Sequence, residues 1–154
     1  MTSKEVLNFP ILEEGILLKR YKRFLADIEL LDGQIITAHC ANTGPMKGIL
    51  LEGAKVRIKY NPSPKRKLDW SWEQAEVTLD NGTSCWVGVN TSLANKLVKA
   101  AIESGCLLDQ LGSILEIKKE IEDGIQVKSR IDMTLKPDIS NKDQREIYIE
   151  VKNT

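Results

Sequence analysis

The sequence predicts an α+β protein: an OB-like β-barrel over residues 1–89, then one helix and three strands over residues 90–154, the order in which a nuclease-type core begins. Three observations carry this prediction. Up to residue 89 apolar residues recur at period two in short runs divided by turn formers. Residues 91–105 alone show the period of an amphipathic helix, and from Ser113 the strand pattern resumes in three runs divided by Asp123-Gly124 and by the break KPDISNKDQRE (136–146).

The elements follow in order. Residues 16–31, ILLKRYKRFLADIELL, read as one long β-like run; Asp32-Gly33 is a hairpin signal, and QIITAHC (34–40) returns from it. The loop ANTGPMKG (41–48) precedes AKVRIKY (54–60), in which Val56, Ile58 and Tyr60 alternate with Lys55, Arg57 and Lys59. NPSPKRK (61–67) holds two prolines and is read as a loop. LDWSWEQAEVTL (68–79) and TSCWVGV (83–89) flank Asn81-Gly82, a strong hairpin signal. In TSLANKLVKAAIESG, Leu93, Leu97, Ala100, Ala101 and Ile102 share one helical face, with Asn90 or Thr91 as N-cap and Gly105 just past the end. CLLDQLG connects it to SILEIKKEI, the turn Asp123-Gly124, and IQVKSRIDMTL, where Ile131, Met133 and Leu135 oppose Lys128, Arg130, Asp132 and Thr134. In EIYIEVKNT, Ile147, Ile149 and Val151 oppose Tyr148, Glu150 and Lys152.

With 42% hydrophobic and 29% charged residues, the 154-residue chain is neither disordered nor membrane-embedded by composition. No apolar run approaches a membrane span, and MTSKEVLNFP lacks the apolar stretch of a signal peptide, so the cytoplasm is the expected location, with no membrane partner. Cys40, Cys85 and Cys106 are far apart and His39 is the sole histidine, which argues against a four-ligand zinc site and fits reduced, mostly buried thiols. His39 and Cys40, adjacent in an extended stretch, are expected to face opposite sides, with His39 an ordinary sheet residue. The sole histidine has no Ser or Cys at a spacing that suggests a nucleophile triad. Charge is polarised: residues 1–67 carry 12 Lys/Arg against 7 Asp/Glu, net +5, and residues 68–154 carry 10 against 15, net −5. A basic front half suits a polyanion and an acidic back half suits cations, although random scatter over a solvated surface describes the same distribution and is the first expectation.

Two constellations carry chemistry. Asp132 lies on the polar face of one predicted strand, and Glu150 and Lys152 share the polar face of another. On neighbouring strands the two carboxylates would hold one Mg²⁺, whose remaining positions take water and substrate phosphate, with the lysine beside them. Spacing alone equally describes solvated charges on an exposed sheet face. The second constellation is basic. KRYKRF (19–24) interleaves cations with Tyr21 and Phe24, and Lys65, Arg66 and Lys67 precede Trp70 and Trp72. Cations that neutralise phosphates and aromatics that stack bases make a nucleic-acid platform, although the tryptophans suit a core equally well. The 41–48 loop is no P-loop, yet its amides and Lys47 are able to hold an anion.

Several stretches together resemble the sugar fermentation stimulation protein A (SfsA) family: LLKRYKRFLADI (17–28), HCANTGPMKGIL (39–50), PKRKL (64–68), VGVNTSLANKLV (87–98), VKSRIDMTL (127–135) and IYIEVKN (147–153). The resemblance implies a DNA-binding OB-like domain and a C-terminal domain of the PD-(D/E)xK nuclease type. Carried over, Asp132 is the motif aspartate, Glu150 and Lys152 form the (D/E)xK pair, and Glu120 is a further metal ligand. Pro137-Asp138 also spells the motif, but Asp132 is preferred because it lies inside an alternating strand and Asp138 in a loop. Ala41 stands where the family usually has proline, and DWSWEQ (69–74) is only loosely similar. Family members also continue beyond the equivalent of Lys152, which implies a C-terminally truncated nuclease-like domain.

The leading expectation is therefore a DNA-binding protein with a Mg²⁺- or Mn²⁺-dependent phosphodiesterase site at Asp132, Glu150 and Lys152. Arg20, Tyr21, Lys22, Arg23, Lys47, Lys65, Arg66 and Lys67 are the expected DNA contacts. The alternative is a non-catalytic DNA-binding regulator of sugar metabolism with a vestigial nuclease motif; in a third reading the basic clusters serve contacts between copies of the chain.

Overall fold

A computed structural model describes residues 6–119, 131–138 and 145–152. The chain divides into two compact units, one from Phe9 to Ser92 and a second beginning at Leu93.

The first unit contains β1 (Glu13–Tyr21), β2 (Leu25–Leu30), β3 (Ile35–His39), β4 (Lys55–Tyr60), β5 (Trp70–Thr78) and β6 (Ser84–Gly88). Antiparallel pairs β1–β2, β2–β3, β1–β4 and β4–β5 are closed into a five-stranded barrel by a parallel β3–β5 pair, and β6 extends β5 as a hairpin. Closure requires β1 to serve two neighbours. Glu13 to Ile16 pair with β4 and Gly15 to Tyr21 with β2, and the register slips between Leu17 and Lys19 where the strand bends. Gly15 sits at the crowded part of this strand: a Cβ there would meet Ile28 Cγ2 at 2.7 Å and the Glu29 carbonyl oxygen at 2.8 Å.

Alternation along the strands fills the barrel. Leu17, Ala26, Ile28, Ile36, Ala38, Val56, Ile58, Trp72 and Ala75 form one buried cluster, to which the 41–50 loop adds Met46. Trp72 is fully buried and its Nε1 donates to the Gln74 carbonyl at 2.8 Å. Trp70 packs against the same cluster, half-buried, with its ring 4.9 Å from that of Tyr60. Core packing is thus the role of Trp72.

The predicted 16–31 run is corrected by the structure: it is two strands separated by a turn at Lys22–Phe24. Lys22 (φ 49°) and Arg23 (φ 64°) occupy the left-handed region without a glycine or asparagine to signal it. Arg20 holds the turn, donating to the Arg23 carbonyl from Nε at 3.1 Å and from Nη2 at 2.5 Å. The same Nη2 donates to the Asn42 carbonyl at 2.8 Å, tying the turn to the 41–50 loop.

The barrel unit ends in a polar clasp. Buried Glu73 accepts Asn90 Nδ2 at 2.8 Å, and Asn90 Oδ1 accepts the Ser92 amide at 3.1 Å and its hydroxyl at 2.6 Å. Thr91 Oγ1 donates to the Ala41 carbonyl at 3.1 Å.

Next come α1 (Ser92–Glu103), α2 (Leu108–Leu111), β7 (Ile114–Lys119), β8 (Met133–Pro137) and β9 (Ile147–Ile149). Helix α1 ends as its sequence predicts. Gly105, at φ 75°, donates to the Ile102 carbonyl at 3.0 Å, and Cys106 donates to Ala101 at 3.1 Å, a Schellman closure. The expected apolar face is rotated, however: Ile102 is buried while Leu97 is 48% exposed, and Val98 takes the half-buried place. The three strands pair antiparallel in the order β7–β8–β9, with Met133 opposite Ile149 and Leu135 opposite Ile147. Met133 and Leu135 are buried, as alternation requires. The predicted Asp123-Gly124 turn, Lys128, Arg130 and Glu120 lie outside the described residues. No helix among the described residues is long and apolar enough to cross a membrane.

Candidate functional site

Strand register brings the two basic segments together on the barrel. Leu25 pairs with His39, which sets the 22–24 turn beside the end of β3, and His39 pairs with Ser71, which sets the 61–69 loop on its other side. Between them lies a groove of about 780 Å³. Lys22 and Phe24 line it from the turn, Thr37 and His39 from β3, Arg66 and Lys67 from the loop, with Leu25 and Leu68 completing the wall. No carboxylate is among these lining residues, so the groove is electropositive.

Only part of the predicted basic set shares this groove. Lys22, Arg66 and Lys67 do; Arg66 also holds its loop, with Nη2 2.7 Å from Ser71 Oγ and Nη1 3.3 Å from the Asn61 carbonyl. Arg23 and Lys65 are exposed on the same two segments, and Lys47 is exposed on the 41–50 loop. Among the described residues, none of Lys22, Arg23, Lys47, Lys65 and Lys67 forms an ion pair. Arg20 is committed to the backbone carbonyls named above. Tyr21 is committed too: its hydroxyl donates to Asp27 Oδ1 at 3.0 Å, where Thr37 Oγ1 also donates at 2.8 Å, and Lys19 lies 3.7 Å from Asp27 Oδ2. Phe24 belongs to the predicted cation-aromatic cluster, whereas Leu25, Thr37, His39 and Leu68 are the groove residues that sequence patterning did not assign. His39 does face outward, opposite buried Cys40, and that alternation was the available signal.

The thiols do not behave alike: Cys40 is buried, Cys85 is intermediate and Cys106 is exposed, so the expectation of mostly buried cysteines holds fully for Cys40 alone. Burial pushes the Cys40 thiol above its ordinary pKa, against smaller opposing effects of a backbone hydrogen bond with Asn42 and of the nearby Arg20 guanidinium. That argues against a nucleophilic role.

In the second unit, Asp132 lies just before β8, and Glu150 and Lys152 lie just past β9, so the strands are shorter than their alternation predicts. Asp132 is nevertheless held firmly. Its amide donates to the Ile149 carbonyl at 2.9 Å, its Oδ2 accepts the Val151 amide at 2.8 Å, and its Oδ1 accepts Asn95 Nδ2 at 2.9 Å from α1. The carboxylate therefore sits beside the Glu150-Val151-Lys152 segment. Glu150 Oε1 pairs with Lys152 Nζ, both side chains being largely exposed. Asp138, the other aspartate considered, follows the opposite end of β8, where its amide donates to Ser113 at 2.7 Å. No group of three or more His, Cys, Asp or Glu converges among the described residues. Two carboxylates at adjoining strand ends are nonetheless a donor set that fits Mg²⁺, which takes few protein oxygens and keeps its waters.

A barrel closed by a parallel β3–β5 pair, with a groove between two loops over β3, defines an OB-like protein followed by an αβββ unit. More particularly, the chain belongs to the SfsA family: residues 18–89 match the SfsA N-terminal OB domain and residues 92–154 the sugar fermentation stimulation protein RE domain. It is 61% identical over 154 residues to a sugar fermentation stimulation protein homolog of Synechococcus sp. (strain CC9311), covering 100% of this chain and 62% of that protein. It is 64% identical over 150 residues to a homolog from Prochlorococcus marinus (strain NATL2A), covering 97% and 58%. The chain thus spans about three-fifths of the length of these curated relatives. The fold also matches the structure of Pyrococcus furiosus SfsA in complex with Ca²⁺, with a TM-score of 0.71 at 20% identity over 96% of this chain and 57% of that one.

Proposed function

We propose that this SfsA-family protein binds DNA in the barrel groove and that Asp132, Glu150 and Lys152 form a Mg²⁺- or Mn²⁺-dependent phosphodiesterase site. The observation that carries the binding half is the convergence of Lys22, Arg66 and Lys67 from two segments across β3, in a groove lined by no carboxylate. The cations neutralise phosphates, and Phe24 and His39 offer flat faces to bases. The face formed by strands two and three with their flanking loops is where OB barrels take oligonucleotides. The cytoplasm is the place of action that this reading proposes.

For the catalytic half, support comes from Asp132 lying within hydrogen-bond reach of the residue between Glu150 and Lys152. Asp132 and Glu150 would hold the cation, which when bound supplies electrostatic stabilisation and an activated water. Lys152 is placed to exchange its ion pair with Glu150 for a phosphate oxygen, where its charge stabilises the transition state. The Ca²⁺ in the Pyrococcus furiosus structure, a hard cation with oxygen ligands, is consistent with this chemistry.

The test has two parts. Anisotropy with labelled DNA should show affinity falling steeply with salt, and Lys22→Ala with Lys67→Ala should weaken binding and flatten that slope by about 2 log units per log salt. Salt-independent binding, or an unaffected double variant, would overturn the groove. DNA incubated with Mg²⁺ or Mn²⁺ should be cut by the wild type and not by Asp132→Ala. The closed Glu150–Lys152 pair favours a second reading, a non-catalytic binder, which predicts DNA binding without cleavage by either protein.

A further inference from the structure

We infer that Asn95, on α1, is a positioning residue for the divalent-cation site, an inference that rests on the reading of Asp132 as a cation ligand. Asn95 Nδ2 donates to Asp132 Oδ1 at 2.9 Å while the Val151 amide donates to Oδ2 at 2.8 Å, so the two oxygens are gripped from a helix and from the segment after β9. A carboxylate held at one oxygen still turns about its last torsion; one held at both keeps its plane. The Asp132 amide is itself fixed to the Ile149 carbonyl at 2.9 Å, which holds the backbone from which the side chain departs. Asn95 and Val151 donate through uncharged amides, so neither sets a positive charge against the cation that the carboxylate is to hold.

The residue type points the same way. Asparagine is a poor helix former, and Asn95 is exposed within α1, where packing asks for nothing in particular. Its amide spends its hydrogen bond on a carboxylate 37 residues away in sequence. Groups that orient metal ligands in this way contribute about 10- to 100-fold to metal affinity.

Mn²⁺ binding to the full 154-residue chain, followed by electron paramagnetic resonance and calorimetry, tests this without reference to cleavage. Asn95→Ala should weaken Mn²⁺ binding by about 10- to 100-fold. Its metal-free circular dichroism spectrum and its DNA affinity should stay at the wild-type values. Asp132→Ala should abolish binding at the site. If Asp132→Ala loses Mn²⁺ while Asn95→Ala binds it as tightly as the wild type, the role of Asn95 is overturned and the cation site stands. If Asp132→Ala binds as the wild type does, or the wild type binds no Mn²⁺, the cation site falls and the role of Asn95 with it. Loss of the folded circular dichroism spectrum in metal-free Asn95→Ala would show a structural role and overturn the inference as well.

Discussion

Arg20 and Lys22 are two residues apart in one basic cluster, yet they do different work. Arg20 satisfies the carbonyls of Arg23 and Asn42, one of them in a turn whose left-handed residues cost energy to hold. Lys22 stands in the groove with no ion pair among the described residues. Hydrogen bonds to a charged donor are worth about 1.5–3 kcal/mol, so Arg20→Ala should lower stability in urea titration by that amount. Lys22→Ala should leave stability within about 0.5 kcal/mol, as surface changes do, and lower DNA affinity instead. The sequence marks both as cations, but which one turns back to the backbone depends on where the chain reverses. Neither residue type nor spacing encodes that reversal, because no glycine or asparagine occupies the turn.

Among the elements, the strands and α1 were legible because apolar alternation, Asn81-Gly82 and Gly105 are local signals. The long 16–31 run was not, since its alternation continues across the turn. Leu97 shows a second limit: helical period alone places it on the apolar face, whereas the exposed side of α1 includes it. At the end of the barrel, Asn90 joins buried Glu73 to the first amide of α1. Asn90→Ala removes a helix cap and leaves a buried carboxylate without that donor, at about 1 kcal/mol for the first and 1–3 kcal/mol for the second. Thermal melting should therefore drop by far more than for Thr78→Ala, a substitution on the exposed end of β5.

For the molecule as a whole, the polarised charge of the sequence does not follow its two compact units, because Asp69, Glu73, Glu76 and Asp80 of the acidic half belong to the barrel unit. The groove residues all lie in the first unit, and Asn95, Asp132, Glu150 and Lys152 all lie in the second. Changes at sites without shared partners add independently. The Lys22→Ala and Lys67→Ala double variant should thus weaken DNA binding and leave Mn²⁺ affinity unchanged, and Asp132→Ala should do the reverse when DNA binding is measured in chelator. Equal losses of both ligands in either variant would show that the two sites are coupled.

The sequence by itself determined the class of fold, the order of its elements and the two basic segments of the barrel, because periodicity and turn chemistry are written locally. Only the tertiary structure decided which cations meet. The pairing of His39 with both Leu25 and Ser71 brings residues 22 and 66–67 to one groove, and a register between strands distant in sequence has no local signature. For the same reason the contact of Asn95 with Asp132 was invisible: a hydrogen bond between a helix and a strand end exists only once both elements are in place.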